Sequence, residues 1–253
     1  MVSIDELSAC FNGFADLNYS VHIDPDLRFV YFNNPKSACT TTKASLNLSY
    51  SQYKGVALNW ADSNAIHLRA VNLMLAPTDV GTEKFLEMIE DPGVFKFCFL
   101  REPVSRVASA YASKFSWASR QQQLFAELAG QPTDWRPSFA EFVMEMTRDP
   151  ALRDCDEHWR LQTRQLCLGK VPYDFIGDFA AIGDTLPGLL ERFFGSSKTV
   201  FDARRHFRGN SSNSSAVVKA ASSEVLAAIA ELYAEDFDWY QKAAPGRGDT
   251  AGA

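Results

Sequence analysis

The chain has 253 residues and a formal net charge of −6, a length that suits one large domain and a charge that argues against a general nucleic-acid binder. Hydrophobic residues make up 46% and charged ones 22%, ordinary values for a globular protein, so any anion it binds must be met by local positive charge. No run reaches membrane-spanning length, and the opening Met1–Leu7 carries Asp5 and Glu6 where a secretory signal needs basic residues before an apolar core. The expectation is a cytoplasmic protein with no membrane span, a single domain over 1–242 and a disordered tail at 243–253. Five cysteines without paired metal spacing (Cys10, Cys39, Cys98, Cys155, Cys167) point to reduced thiols rather than a disulfide framework or a zinc site.

In chain order, alternating apolar residues predict a strand over 28–33, broken by Asn33-Asn34-Pro35, and Thr40-Thr41-Thr42 leads into a helix over 40–50. The connecting loop carries Lys36, Ser37, Ala38, Cys39, Thr40 and Thr41. Unpaired N–H groups at the helix start, the positive end of its dipole, the lysine ammonium and the hydroxyls would converge on one phosphate-like anion. The segment contains no glycine, which excludes a Walker A loop. A mixed region follows over 56–91, with Asp79–Ile89 helical, then a buried strand over 95–100 and a helix over 103–116 that Pro103 suits as a first-turn residue. Further helices are predicted over 119–130, 138–147 and 157–168, a strand over 173–177, a helix over 185–194 and a short strand over 199–202. A polar, basic loop over 204–215 precedes an amphipathic helix over 216–235. The sequons at Asn18, Asn47, Asn210 and Asn213 read as polar loop or cap residues. Strands alternating with helices predict an α/β fold, a mainly parallel sheet covered on both sides with its ligand at the carboxyl ends of the strands.

Pro35-Lys36-Ser37-Ala38-Cys39-Thr40 resembles the 5′-phosphosulfate loop of sulfotransferases that use 3′-phosphoadenosine 5′-phosphosulfate (PAPS), above all the chondroitin and dermatan 4-O branch. Arg101-Glu102-Pro103-Val104-Ser105-Arg106, with Ser109 and Tyr111 after it, is similar to the Arg-x-Pro-x-x-Arg-x-x-Ser-x-Tyr signature of that family. Further on, His158-Trp159-Arg160-Leu161-Gln162, Tyr173–Gly177 and Tyr233–Tyr240 look like its "HW-x-x-Q", "YD-[FL]-IG" and closing segments. The resemblance runs in order from about residue 29 to 240, leaving 50–95 and 117–150 unaligned.

The resemblance implies the P-loop-like sulfotransferase fold, PAPS as co-substrate, no metal, and a carbohydrate or other hydroxylated small molecule as acceptor. It assigns Lys36 to the bridging oxygen, Ser37 to Thr41 to the 5′ side, and Arg101 with Ser109 to the 3′-phosphate. Arg208, in the basic loop, is a candidate to close over the nucleotide, or else solvated surface. Animal relatives in the Golgi are anchored by an N-terminal membrane helix, and against them this chain suggests a bacterial source. An acceptor hydroxyl also needs a base, and His67 and His158 are the candidates, with His67 preferred. His67 falls in the interval where heparan 2-O-sulfotransferases place their catalytic histidine; His158 belongs to the "HW" segment. Glu102 is expected to orient Arg101. Aromatics such as Trp60, Phe115, Trp117, Trp135 and Trp159 are candidates to stack on sugar rings. An ATP-dependent kinase of a small alcohol and a non-catalytic nucleotide-binding module are the alternatives that the loop leaves open.

Overall fold

A computed structural model describes residues 2–60, 65–202 and 214–243. Two short helices, α1 (Ile4–Ser8) and α2 (Phe14–Ser20), lead into strands β1 (Val21–Asp24) and β2 (Phe29–Phe32). Helix α3 (Cys39–Lys54) is followed by two 3-10 turns, by α4 (Pro77–Val80) and α5 (Thr82–Glu90), and by strand β3 (Phe95–Leu100). A run of helices comes next: α6 (Pro103–Lys114), α7 (Arg120–Leu128), α8 (Phe139–Arg148), α9 (Pro150–Asp154) and α10 (Gln162–Gln165). Strand β4 (Phe175–Asp178) and α11 (Ile182–Phe194) precede α12 (Ser214–Ala220), α13 (Ser223–Leu232) and α14 (Ala234–Ala243).

The sheet order is β1-β2-β3-β4, with β1 antiparallel to β2 and the other two pairings parallel. Residues alternate between its faces as the pleat requires. Val30, Phe32, Cys98 and Leu100 join Val21, Ile23, Phe85 and Ile89 in one core. Phe29, Tyr31, Phe97 and Phe99 pack with Leu46 of α3 and with Ile182, Leu186, Leu190 and Phe193 of α11 in a second. Both faces are therefore covered, which is why these strands read as nearly unbroken apolar runs. A third core is wholly helical: Val107, Phe125, Phe142, Met146, Trp159, Ile229 and Tyr233 close α6, α7, α8 and α13 around one another. Gly177 of β4 faces Phe99 so closely that an added Cβ would lie 2.5 Å from the ring, which accounts for the glycine ending the "YD-[FL]-IG" segment.

Four expectations change. Residues 157–168 are not one helix: Leu161 is extended (φ −47, ψ 131), and only Gln162–Gln165 is helical. Buried Trp159 donates to Leu152 O at 2.8 Å and fully buried Arg160 reaches Asp16 and Gln165, so tertiary contacts override the local helical spacing. The predicted helix over 216–235 is broken twice. Ser222 caps a new start by accepting from Val225 N, and Tyr233 ends it with its hydroxyl on Trp159 O at 2.6 Å. Residues 199–202 form no strand; Val200 N and Asp202 N donate instead to the hydroxyls of Ser49 and Ser45 on α3. Asn18 and Asn47 lie inside α2 and α3, not in loops or caps, where they bond Thr78 N and Leu73 N. The basic loop with Arg208, the sequons at Asn210 and Asn213, and the tail from 244 lie outside the described residues. No helix among the described residues is long and apolar enough to cross a membrane.

Candidate active site

The carboxyl ends of β2, β3 and β4 open onto one cleft of about 540 Å³. Asn33, Pro35 and Lys36 follow β2, Arg101 follows β3 and Phe179 follows β4, and all of them line it. This is where an open parallel sheet binds ligands, since successive strand ends and helix starts converge there.

The loop from β2 to α3 turns without glycine by placing Lys36 (φ 70) and Ala38 (φ 59) in the left-handed region. Such backbone costs of order 1–3 kcal/mol per residue and persists only where its surroundings fix it. Here they do. Arg101 donates to Lys36 O at 2.9 Å, Arg106 to Pro35 O at 3.1 Å, and Asn34 to both Phe99 O and the Gln162 side-chain oxygen. Ala38 brings no side-chain cap to α3, so the first N–H groups of the helix face the cleft beside Lys36, Thr40 and Thr41. Burial is the main force lowering the Lys36 ammonium to about 8, with the cations of Lys114, Arg101 and Arg106 adding to it. Burial likewise brings Arg101 down to about 10; its guanidinium lies 4.6 Å over the Phe179 ring. A loop that concentrates this much uncompensated positive charge is built for an anion.

Glu157, His158 and His67 line the same cleft. The two histidines are wired differently. His67 Nε2 meets Thr40 Oγ1 at 3.1 Å and its Nδ1 meets Lys43 Nζ at 2.9 Å. An ammonium can only donate, so Nδ1 accepts and Nε2 carries the proton given to Thr40. His158 Nδ1 lies 2.6 Å from Asp156 Oδ1; a carboxylate oxygen accepts, so Nδ1 carries the proton of that bond and Nε2 is the nitrogen left for another partner. Asp156 is held below the usual carboxylate range: burial works to raise it, but the His158 bonds and charge outweigh that. Burial pushes the neighbouring Glu157 carboxyl up.

Not every predicted site residue faces the cleft. Lys36, Ala38, Cys39, Thr40, Thr41, Arg101, His67 and His158 line it. Ser37 is fully buried, its hydroxyl 3.5 Å from the Gln162 oxygen, and Ser109 is buried on α6 one turn before cleft-lining Ser113. Glu102 does not orient Arg101: its carboxylate accepts from Val104 N and Ser105 N, capping α6. The "HW-x-x-Q" and closing segments act as a frame. Gln162 holds Asn34 and both backbone groups of Arg101, and Asp236 accepts from Gln162 N and Thr163 N at 2.8 Å each. Lys43, Lys114, Gln121 and Glu157 were not singled out in the sequence. Of these only Lys43, three residues after Thr40 and so on the same helix face, carried a readable signal.

A profile of the sulfotransferase family matches residues 19–243. The chain belongs to the sulfotransferase family. Three curated relatives share the name carbohydrate sulfotransferase 14. The Danio rerio protein is 29% identical over 182 residues, covering 67% of this chain and 47% of its own. Those of Mus musculus and Homo sapiens are 28% and 27% identical over 189 and 190 residues, each covering 70% of this chain and 47% of theirs. The sulfotransferase chain thus spans about half the length of the relatives it matches. No solved structure matches it.

Proposed function

We propose that this sulfotransferase moves a sulfuryl group from PAPS to a hydroxyl of a carbohydrate, with His158 as the base. The observation that supports it best is the cleft itself. Lys36, Arg101, the uncapped start of α3 and His158, which is paired with Asp156, line the same cleft. The carbohydrate is suggested by the names of the relatives, and the adenine nucleotide by the match of the Lys36 loop and the Arg101 helix to the family's donor signatures.

His158 Nε2 takes the acceptor's proton as its oxygen attacks sulfur in line. The bond from sulfur to the phosphate oxygen breaks, and Lys36 with the α3 N–H groups stabilises the negative charge left on that oxygen. Asp156 fixes the His158 tautomer and favours the imidazolium that forms. His67 has both nitrogens engaged, which makes it a positioning residue that orients the Thr40 hydroxyl toward the anion. His158→Ala is expected to lower kcat by roughly a hundredfold or more, the usual worth of a general base. His67→Ala should cost about tenfold, with the loss falling on donor binding rather than on the pH profile. Transfer of radiolabelled sulfate checks both, and a His158→Ala enzyme with unchanged kcat would overturn the assignment. Transfer from ATP with magnesium, and none from PAPS, would overturn the function.

Lys36 also predicts a pH dependence. The free protein loses the Lys36 proton above about 8, whereas a bound phosphate favours the charged form, so binding takes up a proton in that range. Affinity for 3′-phosphoadenosine 5′-phosphate therefore changes little between about pH 7 and 8, where the ligand phosphates are ionised, and falls by up to about tenfold per pH unit above that range. Calorimetry across this range checks the slope, which Lys36→Ala should abolish.

A further inference from the structure

We propose that Glu157 is a specificity-determining residue for the acceptor: its carboxyl group accepts a hydrogen bond from a second hydroxyl, next to the one that His158 deprotonates. The proposal rests on the sulfuryl-transfer reading above and adds what the acceptor must offer besides its reacting oxygen. Glu157 lines the cleft together with Lys36, Arg101, Lys114 and His158. Among the described residues its carboxyl forms no ion pair, so it does not serve to neutralise those cations. What Arg106 holds at this position is the backbone carbonyl, at 2.9 Å.

A carboxylate does nothing for the nucleotide. A doubly phosphorylated adenosine brings several negative charges, and a like charge in the same cleft weakens its binding. The partner that suits Glu157 is a group that donates without carrying negative charge, and a hydroxyl does so. Its electrostatic surroundings agree. Burial pushes the carboxyl up, and the charges acting on it most are those of His158, Asp156 and Lys43. Those acting on Arg101 are Arg106 and Glu102. Glu157 thus belongs with the base rather than with the donor grip. The backbone fixes this association. Arg160 N donates to Asp156 O at 2.9 Å, closing a turn that holds Glu157 and His158. Asp156 accepts from both His158 N and its ring, and the next residue, Trp159, is fully buried. Consecutive Cα atoms lie about 3.8 Å apart, a spacing on the scale of neighbouring hydroxyls on one ring.

The test pairs loss of the carboxyl with loss of the hydroxyl. Radiolabelled transfer is measured to unsulfated chondroitin hexasaccharide and to cellohexaose, each intact and with single hydroxyls replaced by methoxyl groups. Wild type should lose about tenfold or more in kcat/KM when the hydroxyl beside the sulfated position is methylated, the worth of a hydrogen bond to a charged group. Glu157→Ala should lose a similar factor on the intact sugar, mainly through KM. It should then tolerate the methoxyl within about threefold, because both changes remove one interaction. Glu157→Gln, which keeps an accepting oxygen without the charge, should fall between them and stands in if the alanine variant does not fold. Affinity for 3′-phosphoadenosine 5′-phosphate, by calorimetry, should hold or tighten by up to about threefold in both variants, since a like charge is gone. A methoxyl penalty as large in the variants as in wild type overturns the proposal, as does the lack of any penalty in wild type; sulfuryl transfer survives both results. A hundredfold fall in kcat with an altered pH profile in Glu157→Gln would make Glu157 the base and overturn the proposal too. A wild type that binds the nucleotide but sulfates neither sugar overturns the carbohydrate reading and this proposal together.

Discussion

Lys36→Ala will lose sulfuryl transfer by roughly a hundred- to a thousandfold, the worth of one preorganised donor at the transition state. Lys36 makes no ion pair among the described residues. What other groups use at this position is its backbone carbonyl, held by Arg101, and the variant keeps that carbonyl. The melting temperature should therefore stay near that of the wild type while kcat collapses. Radiolabelled transfer and thermal unfolding measured on the same preparation separate the two effects. Retained turnover would remove Lys36 from the chemistry, and a large fall in Tm would recast it as a structural residue.

Arg106→Met will act the other way, on the fold before the chemistry. The guanidinium is 1% exposed and donates to three carbonyls, Pro35 at 3.1 Å, Arg160 at 2.7 Å and Glu157 at 2.9 Å. One side chain thus ties the anion loop to the wall that carries His158. Burial lowers the Arg106 pKa, with Asp236 and Tyr233 working to hold it up, so the cation stays charged and its bonds are charge-assisted. Methionine fills much of the volume but strands the three carbonyls, at roughly 3–9 kcal/mol in total if each costs 1–3 kcal/mol. For a domain of this size that lowers Tm by roughly 10 °C or more. Arg106→Lys should recover only part of it, because an ammonium cannot fork to three fixed acceptors. A Tm within about 2 °C of wild type would show that the loop is held without this clip.

What the sequence makes legible is local. The anion loop, the strand before it and the helix after it occupy one stretch, and each signal there lies within a turn or two of the next: Asn34-Pro35 ending the strand, Thr40 opening the helix. Arg101 is legible for the same reason, as a strand end followed by Pro103 at the first position of a helix. The frame is not legible by spacing, because it joins distant residues. Asn34 meets Gln162, Arg106 meets Pro35, and Asp236 meets Thr163. The break at Leu161 escapes notice because the helical period through 157–168 is real, and only the burial of Trp159 and Arg160 defeats it. Strand β1 is hard to see for a different reason: Val-His-Ile-Asp alternates apolar and polar residues, but over only four positions, and the burial of all four comes from tertiary packing that the sequence does not display. The choice between the histidines depends on Lys43 and Asp156, neighbours that sequence order names without orienting.

The bonds from Asp236 to Gln162 and Thr163, and from Tyr233 to Trp159, bear on how the protein is made. Gln162 in turn grips Asn34 and Arg101, so the anion loop depends on helix α14, far downstream of it in the chain. A polypeptide still emerging from the ribosome, with α14 not yet out, holds Lys36, Arg101 and His158 but not the latch that aligns them. Alignment of the cleft therefore waits for α14 to emerge, and the groups that line it take up their places together rather than one by one.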